Sequence, residues 1–184
     1  ASQSGRYNKG MMSALWMQHA GEYRALCMQA YNWAKFRLDQ DLKFKKYAKP
    51  RAIIVDVDET LLDNTPYHGM LVKNGLEYSL ETWDEWVALK KAKAIPGAVD
   101  FLRFAHKSDV EIFYISNRYV RHRDDTYHNL INLGFPVDKE KMFFKTDTSL
   151  KRKRRLRVEE EYQVVMLIGD NLADFSHHFE DKSM

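Results

Sequence analysis

In the segment IIVDVDETLLDN, residues 53–64, an apolar run is followed at once by acidic residues. The run at residues 53–55 is typical of a buried β-strand. Asp56, Asp58 and Glu59 follow it directly. Because burying an unpaired ionised carboxylate is costly, we expect something to bind these oxygen atoms at the end of the strand.

The composition of the chain is that of a folded globular domain. Its 184 residues are 45% hydrophobic and 30% charged, which is ordinary for a protein with a sizeable core. A net charge of +3 is too small to indicate a nucleic-acid polymer as partner. The single cysteine, Cys27, excludes an intramolecular disulfide. No apolar run reaches the ~18 residues of a membrane span. No signal peptide is visible, although the sequence does not exclude a targeting segment that has been removed.

Alternating strand and helix patterns predict an α/β fold. We expect a Rossmann-like parallel sheet with helices on both faces, N-terminal helices and a small helical cap or insert. Residues 1–50 are predicted to form a helical extension, and residues 51–184 the α/β core with its insert at about 63–95. The strands are predicted at 51–56, 110–116, 142–144 and 164–170, and the later helices at about 79–94, 97–108, 117–133 and 149–161.

Polar clusters follow three of the predicted strands. The first strand ends in Asp56-Val57-Asp58, the second in Ser116-Asn117-Arg118, and the fourth in Gly169-Asp170 with Asp174 four residues later. Ligands of parallel α/β sheets gather at the carboxyl ends of the strands. We therefore expect these clusters to meet at one site.

The residue types at this edge favour phosphoryl chemistry. Of two neighbouring carboxylates, one can act as a nucleophile and the other as a general acid/base. Asp170 adds a third hard oxygen donor, and a donor set without His or Cys suits Mg²⁺. A cation such as Lys151 is unfavourable in the first turn of the helix predicted at 149–161, so a bound anion is one reason for its position. Lys145 and Lys153 remain alternatives for this lysine.

Four motifs resemble those of the haloacid dehalogenase superfamily. DVDET at 56–60 resembles the motif D-x-D-x-T, ISN at 115–117 the second motif, Lys151 the third and GDNLAD at 169–174 the fourth. The segments VDVDETLLDNTPY, ISNR, AIPGAVDFL and IGDNLADF are more closely similar to the class C acid phosphatases, the bacterial surface-lipoprotein branch. This resemblance extends from about Leu15 to Phe175.

The resemblance implies a role for each site residue. Asp56 would be the nucleophile that becomes phosphorylated, and Asp58 the acid/base whose backbone carbonyl also contacts Mg²⁺. The implied assignments are, for catalysis, Asp56, Asp58, Ser116, Asn117 and Lys151; for substrate binding, Thr60, Asn64, Tyr67, Trp83 and Arg118; and for the metal, Asp56, Asp58, Asp170 and Asp174.

The function implied by the resemblance is a Mg²⁺-dependent acid phosphatase. It would hydrolyse small phosphomonoesters, nucleotides among them, through an aspartyl-phosphate intermediate. Its location would be the bacterial cell envelope or the extracellular space, as a surface lipoprotein or periplasmic enzyme. A membrane tether through a removed lipid-anchor segment and a homodimer both stay open.

Three alternatives remain open from the sequence. A phosphotransferase could use the same fold and the same residues. A non-enzymatic phospho-accepting signalling domain also places an Asp on a parallel sheet, but it would not need Asp58. A nucleotide-sugar transferase could hold its metal with D-x-D, but that function leaves GDNLAD and Lys151 without a role.

Overall fold

Strands and helices alternate along residues 11–179, the part of the chain that the computed structural model describes. The ends of the predicted extension and core, at residues 1–10 and 180–184, lie outside the described residues. The strands are β1 (Arg51–Val55), β2 (Leu62–Asp63), β3 (Lys93–Ala94), β4 (Glu111–Tyr119), β5 (Met142–Lys145) and β6 (Gln163–Ile168). The helices are α1 (Met11–His19), α2 (Gly21–Phe44), α3 (Thr65–Asn74), α4 (Leu80–Leu89), α5 (Ala98–Lys107), α6 (Arg123–Asn132) and α7 (Arg152–Glu161).

The main sheet is the predicted parallel α/β sheet, with strand order β5-β4-β1-β6. Val55, the last residue of β1, pairs with Tyr114 on one side and with Ile168 on the other. The next backbone N–H, that of Asp56, donates to the carbonyl of Ile168 at 2.9 Å. This register brings the ends of β1 and β6 and the last third of β4 to the same edge.

Helices cover both faces of the sheet because successive residues of a strand point to opposite sides. Ile53 and Val55 belong to the larger core, together with residues of α2, α5 and α6. Ala52 and Ile54 belong to a smaller core on the opposite face, with Val158 of α7. The fold class predicted from the sequence is confirmed.

The predicted insert consists of α3 and α4, and its base is closed by the antiparallel pair β2 and β3. Ser79 caps α4, its side chain accepting the Thr82 N–H, as Ser and Thr do before a first helical turn. Trp83 and Trp86 of α4 contact Arg118 and Asn64, respectively. Arg118 lies near the carboxyl end of β4, so the insert lies at the carboxyl edge of the main sheet.

Several predicted boundaries are wrong. The helix predicted at 79–94 ends at Leu89, and the helix predicted at 117–133 begins at Arg123. The second strand is predicted to end at residue 116, but β4 continues to Tyr119, which pairs with Lys145 after an irregularity in the ladder. The last long helix was expected from Ser149 but begins at Arg152, with Lys151 at its N-cap. Here the Thr148 hydroxyl accepts the Leu150 N–H at 3.2 Å, a local bond that competes with the helical pattern.

No helix within residues 11–179 combines the length and the apolar character needed to cross a membrane.

Helix α2 should contribute directly to the stability of the sheet. Leu38 is fully buried in the larger core, so Leu38→Ala should lower the free energy of unfolding by about 2–5 kcal/mol. Urea unfolding followed by circular dichroism measures this loss. Leu26→Ala is the control on the same helix, since Leu26 is 54% exposed and its truncation should cost less than about 0.5 kcal/mol. Equal losses for the two variants would contradict the packing of α2.

Candidate active site

Three carboxylates meet at the carboxyl edge of the sheet. One oxygen each of Asp56, Asp170 and Asp174 lies within 4.8 Å of the others. Asp56 and Asp174 are buried, and Asp170 is exposed. Three oxygen donors without nitrogen or sulfur are the set that Mg²⁺ prefers, with waters completing an octahedron. The residues therefore fit a hard divalent cation, with Asp56, Asp170 and Asp174 to hold it.

A short capped turn directs Asp174 into this cluster. Asn171 accepts the Ala173 N–H at 3.0 Å, and the Asp174 carboxylate accepts the Asn171 N–H at 3.1 Å. A Cβ on Gly169 would lie 2.5 Å from the Cβ of Asp174, closer than any van der Waals contact allows. Only glycine at this position leaves room for the aspartate.

Lys151 is the cation of the site. Its ammonium donates to Asp56 and, at 2.5 Å, to Asp174 Oδ1, and its side chain is only 8% exposed. The alternative lysines lie elsewhere: Lys145 is over the Tyr119 ring, and Lys153 is exposed. Lys151 thus reaches the acidic cluster although it lies at the helix N-cap rather than in the first turn.

Burial dominates the electrostatics of Asp56. It raises the pKa of this carboxyl from 3.8 to about 7, with the charges of Asp58 and Asp174 adding to the rise and Lys151 opposing it. Glu59 behaves similarly, since burial and the neighbouring Asp58 charge raise its pKa to about 8. A bound cation would favour the ionised form of the cluster.

Asp58 lies beside the cluster and has different partners. Its Oδ1 accepts from Arg118 Nη2 at 2.8 Å, from Arg118 Nε at 3.0 Å and from Asn64 Nδ2 at 2.8 Å. Its carboxylate is not part of the three-acid cluster, so the structure does not bring four acidic side chains around one cation. Asp58 nevertheless lines the same cleft of about 320 Å³ as Asp56, Asp170 and Asp174.

The two polar residues after the second strand have different surroundings. Asn117 is exposed and lines the cleft. Ser116 is fully buried, and its hydroxyl oxygen accepts the Arg118 N–H at 3.0 Å and lies 3.5 Å from Asp58 Oδ2. Asn117 can therefore reach a ligand, whereas Ser116 supports the loop and the acid.

Four of the five side chains that are predicted to bind substrate are buried in the structure. Asn64 and Tyr67 are fully inaccessible, and Thr60 and Arg118 are 4% and 3% exposed. Their polar groups mostly face other protein groups, as buried polar groups must. Trp83 is half-buried, with its ring 5.1 Å from that of Tyr67 and under the guanidinium of Arg118 at 5.3 Å. Of this set, Trp83 keeps accessible surface.

Sequence reasoning missed three residues that hold the site together. Arg154 donates to the Ser116 carbonyl and to Asn117 Oδ1, both at 2.6 Å. Arg155 donates to the carbonyls of Ala173 and Asp174. Arg154 and Arg155 follow Lys151 by three and four positions, respectively, which places them on the same helix face. This spacing is the feature of the sequence that could have indicated them. The third is Trp86, whose indole bonds Asn64.

Comparisons with known proteins identify the family of this chain. The family model described as HAD superfamily, subfamily IIIB (acid phosphatase), matches residues 3–184. The chain belongs to this family. A class C acid phosphatase from Bacillus anthracis is 40% identical, with a TM-score of 0.88 over 92% of this chain and 72% of that one. The same type of enzyme from that organism with tungstate bound is 41% identical, with a TM-score of 0.86 over 90% and 70% of the two chains.

A curated relative is more distant. Acid phosphatase 1 of Solanum lycopersicum is 34% identical over 134 residues, which are 66% of this chain and 50% of that protein. The chain spans about half the length of the curated relatives it matches. The resemblance inferred from the four motifs is confirmed at the level of the family.

Removing the ammonium of Lys151 should destabilise this subfamily IIIB fold. In metal-free protein, Lys151→Met leaves two buried carboxylates without their cation, which should cost about 3 kcal/mol. Because the pKa of the Asp56 carboxyl is raised in the folded state, the free energy of unfolding falls as pH rises from 3.8 through about 7. The loss should therefore be larger at pH 8 than at pH 5.

Urea denaturation at the two pH values, in the presence of EDTA, tests this. Lys43→Met is the matched control, because Lys43 forms an ion pair with Asp39 in which both side chains are exposed and which contributes little. A Lys151→Met variant as stable as Lys43→Met at pH 8 would contradict the role of this ammonium.

Proposed function

We propose that this HAD subfamily IIIB protein is a Mg²⁺-dependent acid phosphatase that hydrolyses small phosphomonoesters through a phosphorylated aspartate. The observation that carries the proposal is the meeting of Asp56, Asp170, Asp174 and Lys151 in one cleft, with Asp58 on its wall. An aspartate beside a lysine and two further acids offers a nucleophile together with groups that control its charge.

The first half of the reaction forms the phosphorylated enzyme. A carboxylate oxygen of Asp56 attacks phosphorus in line and forms a P–O bond, while the bond to the ester oxygen breaks. The leaving oxygen keeps the electron pair and receives the proton of Asp58. Lys151, released from part of its ion pairing, and the exposed amide of Asn117 are placed to donate to the phosphoryl oxygens.

The second half regenerates the enzyme. Asp58, now ionised, takes a proton from water, and the water oxygen bonds to phosphorus. The bond between phosphorus and Asp56 breaks, which releases inorganic phosphate and restores both carboxyl groups. Mg²⁺ bound by Asp56, Asp170 and Asp174 would supply positive charge that reduces repulsion between anions.

Two findings support the choice of substrate class. The similar enzyme from Bacillus anthracis binds tungstate, a tetrahedral oxyanion like phosphate, and we extend oxyanion binding to this cleft. The rings of Trp83 and Tyr78 lie 6.4 Å apart at the insert, and Tyr78 is 60% exposed. Accessible aromatic rings suit the flat base of a nucleotide, so nucleotides are proposed among the substrates.

Other parts of the proposal derive from the family resemblance alone. These are the location in the bacterial envelope, a lipid anchor in a removed segment, and a homodimer. The division into a helical extension and an α/β core with an insert also remains a proposal, although Leu38 of α2 packs in the same core as β1.

The nucleophile can be tested by one substitution. Asp56→Asn keeps the size of the side chain but removes its charge, so phosphate release from p-nitrophenyl phosphate should fall at least about 10³-fold. The circular dichroism spectrum should be unchanged, and mass spectrometry of acid-quenched protein should show no phosphoryl adduct. Full turnover in Asp56→Asn would exclude the mechanism. Adduct without sustained release in the natural sequence would instead favour a phospho-accepting signalling domain.

The metal can be tested by removal. EDTA should abolish phosphate release, and added Mg²⁺ should restore it, because three carboxylates in one cluster need a cation. Asp170→Asn removes one charge from an exposed position, and the Mg²⁺ concentration for half activity should rise about tenfold or more. Asp147→Asn is the control, since Asp147 is exposed, outside the acidic cluster and not part of the site. Activity that survives EDTA would contradict the metal requirement.

A further inference from the structure

Three N–H groups converge on one oxygen of Asp58. Oδ1 accepts two from Arg118 and one from Asn64, at 2.8–3.0 Å. Within residues 11–179, Oδ2 accepts only from Arg118 Nε at 3.2 Å and from the Ser116 hydroxyl at 3.5 Å. The two oxygens of the carboxyl group are therefore not equivalent. Oδ1 is held by three short hydrogen bonds, while Oδ2 has two longer ones and is the oxygen better able to carry a proton.

The amide of Asn64 is held in one orientation. Its Oδ1 accepts from Trp86 Nε1 at 2.8 Å and from Arg118 Nη2 at 3.3 Å. Indole and guanidinium nitrogens can only donate, so the amide oxygen must face them. The amide nitrogen must then face Asp58, to which it donates. Trp86 of helix α4 in the insert thus determines how Asn64 presents its N–H to the acid.

Neither Asn64 nor Arg118 offers surface to a substrate. Asn64 is fully buried, and the side chain of Arg118 is 2% exposed beside an Asp58 side chain that is 25% exposed. The remaining donor of Arg118, Nη1, bonds the buried Thr126 hydroxyl at 3.0 Å. The donors below the acid are thus fixed on protein partners, and only the acid itself is open to the cleft.

We propose that Asn64, oriented by Trp86, is a positioning residue that acts with Arg118 to hold Asp58 Oδ1, so that Oδ2 is the oxygen that gives the proton to the leaving group. The inference rests on the proposed function, in which Asp58 is the general acid. It replaces the substrate contact expected for Asn64 and Arg118 with an action through Asp58. It also assigns to the insert, through Trp86, a role in catalysis without contact with the substrate.

The reaction itself provides the readout, because leaving groups differ in their need for a proton. Dinitrophenolate is stable as an anion and leaves without protonation, whereas an alkoxide must receive a proton as the P–O bond breaks. A misplaced general acid therefore slows cleavage of an alkyl phosphate and spares dinitrophenyl phosphate. General loss of structure slows both equally.

The experiment compares kcat/KM for glycerol phosphate, phenyl phosphate and 2,4-dinitrophenyl phosphate at saturating Mg²⁺. For Asn64→Ala we expect a loss of about 10–100-fold with glycerol phosphate and of less than about threefold with the dinitrophenyl ester. Trp86→Phe keeps an aromatic side chain but removes the indole N–H together with the five-membered ring that carries it, so the same pattern should appear with a loss of about fivefold. This milder variant keeps the test valid if Asn64→Ala folds poorly.

Asn129→Ala is the matched control. Asn129 is also a buried asparagine that donates one hydrogen bond, to the Ala92 carbonyl at 2.9 Å, but it is not among the residues that bond Asp58. Any effect of this variant should be the same for all three esters. Thermal unfolding of Asn64→Ala and of Asn129→Ala measures how much stability each variant loses.

A double-mutant cycle identifies the residue through which Asn64 acts. Asp58→Ala should show the strongest dependence on the leaving group, and adding Asn64→Ala to it should cause no further loss with phenyl phosphate. Equal losses for all esters in Asn64→Ala and Trp86→Phe, or full additivity with Asp58→Ala, would overturn the inference while leaving the phosphatase intact. A natural-sequence protein that releases no phosphate, or an active Asp56→Asn, would instead overturn the proposed function.

Discussion

The ion pairing of Lys151 with Asp56 and Asp174 is the interaction on which the arrangement of the site depends. Lys151 is the N-cap residue of α7, Asp56 follows the end of β1, and Asp174 lies in the turn after β6. Without the ammonium, the two buried carboxylates would lie close to each other and to the carboxylate of Asp170, with no cation between them. Such repulsion would drive the strand ends apart or force protonation. The pairing keeps the acids close and still allows a divalent ion to compete for them.

A second layer of polar groups lies on the other side of Asp58. Trp86, Asn64 and Arg118 form a continuous set of hydrogen bonds from helix α4 to the acid. Every member is buried or half-buried, so each bond is made in a medium of low polarity, where an unmade bond is costly. The insert therefore contributes rigidity at the reacting edge, in addition to the aromatic surface of Trp83.

Much of the fold and the acidic cluster could be predicted from the sequence because two simple periodicities determine them. Alternating strands and helices fix a parallel sheet, and polar residues directly after Val55 and Ile168 must then share its edge. Asp56, Asp170 and Asp174 were identified in this way. Lys151 is predicted from its place in a first helical turn and from the third motif; the structure places it instead at the N-cap, where it donates to Asp56 and Asp174.

The network around Asp58 could not be predicted, because local pattern does not encode it. Asn64 lies in a turn-rich segment where asparagine needs no special explanation, and Trp86 fits the apolar face of an amphipathic helix. Their bond joins residues 22 positions apart, and only the packing of the insert on the sheet shows it. The resemblance implies that Arg118 binds substrate, whereas in the structure its side chain donates to Asp58 and to the Thr126 hydroxyl.

The turn between Gly169 and Asp174 restricts which substitutions this chain can accept. A methyl group at position 169 would lie 2.5 Å from the Cβ of residue 174, and every amino acid except glycine has that atom. Replacement of the glycine can therefore be tolerated only after the turn has been rebuilt, whichever side chain follows at position 174. A descendant that loses the aspartate, and with it the acidic cluster, would still keep the glycine for as long as it keeps the turn.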